Sequence, residues 1–435
     1  MTNMFHLGLF TSFAVPDGWF GPWGGNDATD WTDGSFFVDV VRAAERARFD
    51  AVVLEDASMV SSAYGGNFDI ELRHAAESPR LDPVLLAAML AQSTQHIGIV
   101  PTISTSRYKP FQAARVLNTL DHVSHGRAGW NIVTSSEDGA AQNYGMAKLP
   151  EHDERYAWAD EFVDVCEQLW DSWQPDAVVA DVATRTFAAG SKVSAIDHHG
   201  SFFDVKGPFN AMRSPQGRPV YCQAGSSPRG REFAATHADM LLTQAPGLEA
   251  MKAFRDDIRM RAERAGRNPD DVKVFFVATP IVAESMSAAL ERRNWLYEPS
   301  DWLAENSLAH MAAVMEIDFS KYDLDTPIPD LQTNGHQGGL DDFRKIAKGS
   351  ATLREAAHKW SIASVPFCGT AEMVADQMQE AMDYVGGDGF LIASMHQMTR
   401  NFMTTITDGL APELQRRGLT RTSYEDDFRA SLKKF

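Results

Sequence analysis

The stretch Asp82–Val133, DPVLLAAMLAQSTQHIGIVPTISTSRYKPFQAARVLNTLDHVSHGRAGWNIV, decides the fold class. Asp82 and Pro83 read as an N-cap and a first-turn proline, opening a helix that runs to about Gln95. Ile97 to Pro101 then reads as a strand, Pro110 to Val123 as a second helix and Ala128 to Val133 as a second strand. Strand, helix and strand in this order form a right-handed βαβ unit, so the stretch predicts a parallel sheet with helices packed outside it.

The same rhythm extends in both directions. His6 to Phe10 is a short apolar strand, and a helix begins at Ser35, with Phe37, Val40, Val41, Ala44 and Ala47 at helical spacing. Ala51 to Leu54 is a continuous apolar run of the kind buried on both faces of a parallel sheet. Between these, Ser12 to Asp33 is rich in Gly, Pro and Trp and suits a loop. Downstream, Arg155 to Trp173 reads as a long helix, and Phe187 to Val205 as a hairpin excursion around His198-His199-Gly200. Pro219 to Ala224 is a strand feeding a helix from Arg229, and Val272 to Thr279 and Gly389 to Ala393 are late strands. No G-x-G-x-x-G fingerprint follows the first strand, which disfavours a dinucleotide-binding doubly wound sheet. The expected fold is α/β, a single (β/α)8 barrel domain over residues 1–435. Residues 285–360 break the rhythm with Pro299, Pro327, Pro329 and many polar residues. So long an insertion in a barrel predicts a lid, the other reading being plain surface elaboration.

Composition narrows the function. The net charge of -19 lacks the basic footprint that nucleic acids or anionic membranes demand. Cys166, Cys222 and Cys368 are odd in number and far apart, which suits neither a disulfide framework nor a zinc site. No signal peptide is evident, and no apolar run approaches the ~20 residues of a membrane span. The expected compartment is the cytoplasm. The adjacent His198 and His199 would point apart on a strand, so no metal site is expected. G-x-S-x-G, P-loop and H-E-x-x-H motifs are missing.

In a barrel, ligand groups gather where strands end. That rule selects Asp56, then Ser104, Thr105 and Arg107, then Asn131, Thr134 and Ser135, and finally Gly225 to Gly230. The last cluster is a small polar turn feeding a helix, which suits a phosphate and equally an ordinary N-cap. Asp56 suits the edge of a cofactor ring, a base or a turn cap. A buried Asn131 needs a partner, either a cofactor or a neighbouring backbone.

Four blocks carry a family resemblance: Ala47 to Asp56, Leu120 to Ser135, Glu151 to Trp173, and Pro215 to Arg231, joined near the C-terminus by Gly369-Thr370 and Asp388-Gly389-Phe390. The chain resembles the bacterial luciferase-like flavin monooxygenases. Within them it is similar to the branch holding nitrilotriacetate monooxygenase component A, dibenzothiophene-sulfone monooxygenase and long-chain alkane monooxygenase. The resemblance implies a two-component enzyme that takes reduced FMN from a separate NAD(P)H:flavin reductase. With O2 it would form a C4a-peroxyflavin that oxygenates a small organic molecule. It implies a phosphate site at Tyr156, Ser226, Ser227 and Arg229, and ring contacts from Asp56, Thr105, Asn131 and Ser135. Relatives of this kind are commonly dimers or tetramers, so the resemblance implies a homodimer or homotetramer.

The departures fall at the pocket. Gly24-Gly25 follows Trp23 where the family has Arg-His-Pro, Arg107 stands where a Tyr is common, and Ser136 stands where some relatives have His. Asn131, Ser136 and Arg107 are therefore the candidate catalytic groups, and Trp19, Trp23 and Arg107 the candidate substrate pocket. Arg107 favours an anionic or strongly polar substrate if it faces the pocket. C–N cleavage, C–S cleavage and hydroxylation all fit. A non-catalytic flavin-binding protein and a deazaflavin-dependent oxidoreductase are the alternatives on the same fold.

Overall fold

A computed structural model describes residues 4–333, 337–360, 365–394 and 396–435. Eight parallel strands close into a barrel in sequence order, the last pairing with the first. They are β1 (His6–Ser12), β2 (Ala51–Glu55), β3 (Gly98–Ser104), β4 (Gly129–Val133), β5 (Val220–Gln223), β6 (Met240–Thr243), β7 (Lys273–Ala278) and β8 (Gly389–Ile392). Outside them pack α1 (Ser35–Arg46), α2 (Pro83–Ser93), α3 (Pro110–Val123), α4 (His152–Asp171), α5 (Pro228–His237) and α6 (Leu248–Arg264). The N-cap of α2 is made as expected, with the Asp82 carboxylate accepting from the Val84 N–H at 2.8 Å.

β6 has no counterpart in the sequence reading. Its four residues form a run with no alternation, three residues after a helix ends, and periodicity is mute over so short a segment. A second antiparallel hairpin, Val178–Asp181 with Thr186–Ala188, precedes the one built on His198–His199 and Asp204–Val205.

The C-terminal segment closes the end of the barrel where the strands begin. The Phe428 ring lies so close to Gly98 that a Cβ there would meet it at 2.5 Å. Phe435 stacks on His6 with ring centroids 4.3 Å apart. A functional site therefore belongs to the opposite end, where the strands finish.

That end is covered by the insertion. The chain leaves through Ile281–Val282 and returns through Cys368–Gly369, and these two short strands pair with each other. Between them lie α7 (Met286–Tyr297), α8 (Asp301–Met315), α9 (Gln337–Ile346) and α10 (Leu353–Trp360), followed beyond the pairing by α11 (Ala371–Val385). Residues 334–336 of the expected lid lie outside the described residues. The segment has its own core of Leu308, Met311, Phe319, Leu340, Phe343 and Leu353. It meets the barrel loops through rings and apolar side chains, with Ala63 and Tyr64 packed on its core and Phe20 against Trp302, and through polar contacts. The Asp138 N–H donates to Glu316 at 2.6 Å, the Gly65 N–H donates to Asp318 at 2.8 Å, and His310 pairs with Glu77 at 2.6 Å.

Candidate functional site

The turn after β5 is built around one phenol. Gln223 is buried, its Oε1 accepts from the Gly225 N–H at 2.6 Å, and its Nε2 donates to the Tyr156 hydroxyl at 3.4 Å. A Cβ on Gly225 or Gly230 would meet that hydroxyl at 2.8 or 2.6 Å, so both glycines are required by close approach. Ser227 caps α5 by accepting from the Gly230 N–H at 3.0 Å. Ser226 and the start of α5 thus face the Tyr156 hydroxyl across a glycine cradle. Burial pushes the phenol of Tyr156 up, keeping it a neutral donor. The Arg229 side chain turns to Asp160, and its guanidinium carbon lies 5.5 Å from the Tyr156 ring centre. α9 of the insertion reaches the same turn, and a Cβ on Gly338 would stand 2.2 Å from the Ser226 hydroxyl.

The strand ends of β3 and β4 carry a second group. Thr102 and Asn131 are register partners, and Asn131 Nδ2 donates to Thr102 Oγ1 at 2.8 Å. Asn131 Oδ1 is buried without a hydrogen-bond partner among the described residues. Ser104, Ser106 and Ser135 form a triangle of hydroxyls at 2.8, 2.7 and 3.0 Å. Ser135 holds a left-handed backbone with φ +59°, a strained conformation of the kind found at ligand sites. Thr105 is buried beneath the triangle, and its carbonyl accepts from Trp158 Nε1 at 3.0 Å.

Charged groups complete the mouth. Arg107 Nη1 donates to Asp56 Oδ2 at 2.9 Å. Burial pushes the Asp56 carboxyl up against the pull of Arg107. Arg80 joins Glu55, at the end of β2, to Glu77, and burial drops its pKa to about 9. Ser136 stands apart from the serine triangle and donates to Glu137, whose carboxyl burial also pushes up.

The aromatic first loop divides. Trp19 packs its edge on Phe20 at 5.9 Å. Phe20 in turn meets Trp302 of the insertion at 4.6 Å, and Trp302 meets His396 at 5.6 Å. Trp23 lies further out, in a groove of about 720 Å³ with Trp295 and with Arg292, whose guanidinium covers its ring at 4.4 Å. Arg107 and Trp23, expected in one pocket, thus have different surroundings.

Residues 17–389 match the model of the family described as luciferase-like monooxygenase. The chain belongs to the luciferase-like monooxygenases. It is 36% identical to dibenzothiophene-sulfone monooxygenase of Rhodococcus erythropolis (strain XP), over 97% of this chain and 94% of that one. It is also 36% identical to nitrilotriacetate monooxygenase component A of Aminobacter aminovorans, over 91% and 88%. The crystal structure of DmoA from Hyphomicrobium sulfonivorans superposes with a TM-score of 0.89 at 32% identity, covering 100% of this chain and 93% of that one. As a luciferase-like monooxygenase, this protein is a flavin-dependent enzyme acting on a small organic compound.

The site fits such a cofactor on its own geometry. Asn131 presents a stranded acceptor, the hydroxyls of Ser104, Ser106 and Ser135 gather at the ends of β3 and β4, and the turn under Tyr156 opens a helix whose start suits an anionic group. The residues that the sequence did not single out are Thr102, Gln223, Arg80, Glu137 and His396. Thr102 was findable, because it shares a strand face with Ser104 two residues on. Arg80 and Glu137 carry no local signal.

Proposed function

We propose that this luciferase-like monooxygenase is the oxygenase component of a two-component system that takes reduced FMN from a separate NAD(P)H:flavin reductase and uses O2. The observation that carries this reading is the position of the buried, partnerless Asn131 Oδ1 on β4, at the end of the barrel where the strands finish and ligand groups gather. The words "component A" in the name of one 36% identical relative support a divided system. When bound, reduced FMN supplies the electrons that let O2 oxygenate an organic molecule.

This chain's residues hold and shield that chemistry. Tyr156, Ser226, Ser227 and the backbone at Arg229 hold the phosphate. Asp56, Thr105, Asn131 and Ser135 orient the ring system. Asn131, Ser136 and Arg107 face the reacting atoms, with Ser136 passing a proton to and from Glu137 behind it. Trp19 and Trp23 belong to the path of the organic substrate. The insertion acts as a lid that excludes water, so that reducing equivalents do not drain into hydrogen peroxide.

The oligomer is a homodimer or homotetramer. α2 presents Leu85, 68% exposed, and Met89, 39% exposed, beside Leu81, 40% exposed, a face that suits a second copy. The cytoplasm is the compartment, in keeping with three free thiols and a need for NAD(P)H. No helix among the described residues is long and apolar enough to cross a membrane.

The test is rapid mixing. Protein with photoreduced FMN, made anaerobic, is mixed with oxygenated buffer and followed by absorbance. A transient near-ultraviolet absorbance that free FMN lacks is the expected result. Oxidation that tracks free FMN, with no binding of FMN in titration, overturns the reading.

A further inference from the structure

A flavin that travels between two proteins must be held and also given up. Two arginines lie in the first turn of α5, beside the proposed phosphate site, and each is matched to a carboxylate on a neighbouring helix. Arg231 Nε donates to the Ser226 carbonyl at 2.8 Å, and its Nη1 pairs with Asp257 of α6 at 3.0 Å. Arg229 Nη2 donates to Asp160 of α4. The other oxygen of Asp160 pairs with His237 Nε2 at 2.9 Å. Against the push of burial, His237 and Arg229 hold the Asp160 carboxyl below its usual range, so it stays an anion.

The Arg229–Asp160 pair is open to water, with 27% and 40% of the two side chains exposed. Such a pair is weak and can be traded for a better partner. Arg229 is placed for that trade, because its chain starts in the turn itself, two residues after the cap Ser227. Its guanidinium carbon lies 5.5 Å from the centre of the Tyr156 ring, and the hydroxyl of that ring faces Gly225 and Gly230. The guanidinium therefore flanks the phenol that a phosphate at this turn would meet. A phosphate offers it full charge and a matching fork of acceptors. The pair is also not all that joins the two helices, since Tyr156 packs on Phe233 with ring centres 5.6 Å apart.

Resting on the monooxygenase reading and its phosphate site, we infer that Asp160 competes with the flavin phosphate for the Arg229 guanidinium. Asp160 is a positioning residue that loosens the hold on FMN and keeps it exchangeable. Riboflavin has no phosphate, so it draws nothing from Arg229 and is blind to Asp160.

The experiment titrates the protein with FMN and with riboflavin by flavin fluorescence, and follows FMN release by displacement. Asp160→Asn is expected to bind FMN about fivefold more tightly, in line with the small worth of an exposed pair. Riboflavin should bind as in the wild type, and FMN release should slow by a similar factor. Adding Arg229→Met to Asp160→Asn should erase the gain. A gain that survives in the double variant overturns the inference, because it would come from the lost carboxylate and not from Arg229. An Asp160→Asn variant that binds FMN no better than wild type also overturns it, and is what a plain staple between α4 and α5 would give. Should Asp160→Asn fail to fold, Asp160→Ala removes the same charge and is read the same way. Both of those failures leave the cofactor reading standing, whereas a wild-type protein that binds no FMN at all would take down that reading and the inference together.

Discussion

Gly338 of the insertion touches Ser226 of the barrel so closely that a Cβ at 338 would lie 2.2 Å from the serine hydroxyl. The segment over the site and the turn proposed to hold the flavin phosphate therefore meet at a residue with no side chain. Gly338→Val improves helix propensity, so any harm it does comes from that contact. The expected outcome is FMN affinity lowered about tenfold, or roughly 1.4 kcal/mol, with more hydrogen peroxide released per reduced flavin. Fluorescence titration and a peroxide assay measure both, and unchanged values would sink the idea that the insertion closes on this turn.

Ser227 has two duties that one substitution separates. Ser227→Ala removes the α5 N-cap bond at 3.0 Å and should cost about 1 kcal/mol of stability. It should also weaken FMN several-fold while leaving riboflavin, which lacks the phosphate, unaffected. Calorimetry reads the first effect and paired titrations the second. Equal weakening of both flavins would move the phosphate elsewhere.

Asn131→Leu loses the bond to Thr102 but no longer strands a buried carbonyl oxygen. The two effects are each on the order of 1 kcal/mol and oppose one another. The flavin-free protein should therefore melt close to wild type, while FMN binds about tenfold more weakly. A large loss of flavin-free stability with intact FMN binding would make Asn131 a purely structural residue.

Burial raises the carboxyl of Glu71 to about 7, even though it accepts from the Glu77 N–H at 2.9 Å. The folded protein therefore holds a proton that the unfolded chain releases near its ordinary value of 4.5. The sign follows from linkage. This contribution to stability is full below pH 4.5 and is lost as pH rises through about 7. Glu71→Gln should flatten that part of the profile, seen as a melting point that falls less between pH 5 and pH 7.5, by on the order of 1–3 °C. Parallel profiles would contradict it.

Leu85 is 68% exposed on α2, beside Met89 and Leu81. Leu85→Glu in the proposed oligomer should lower the mass seen by light scattering to that of one chain. An unchanged mass would place the interface on another face.

The barrel was legible because most of its strands and helices are long enough to show their period. Pro110–Val123 was read with the bounds the structure has, and Ala51–Leu54 fell one residue short of its strand. β6 was hidden because a four-residue run of Met, Leu, Leu and Thr shows no alternation to read. Of the candidate residues that the sequence singled out, Asp56, Ser135 and Ser226 follow strands and Asn131 lies within β4. Arg80 escaped because its partners Glu55 and Glu77 are set by the path of a loop, and loops carry no period. The fourfold helical content of the insertion escaped for a related reason, since its core pairs residues across prolines and polar turns.

That insertion has a consequence for how the enzyme fails. It owns a separate core and meets the barrel through a few ion pairs, backbone contacts and ring edges. On heating, such a segment lets go before the barrel does. The protein that remains would still take electrons from the proposed flavin but no longer keep water out. Its first symptom of damage would be a turn from oxygenase to oxidase, consuming nicotinamide and emitting peroxide, so a warmed culture would register an oxidative burden before it registered a missing product.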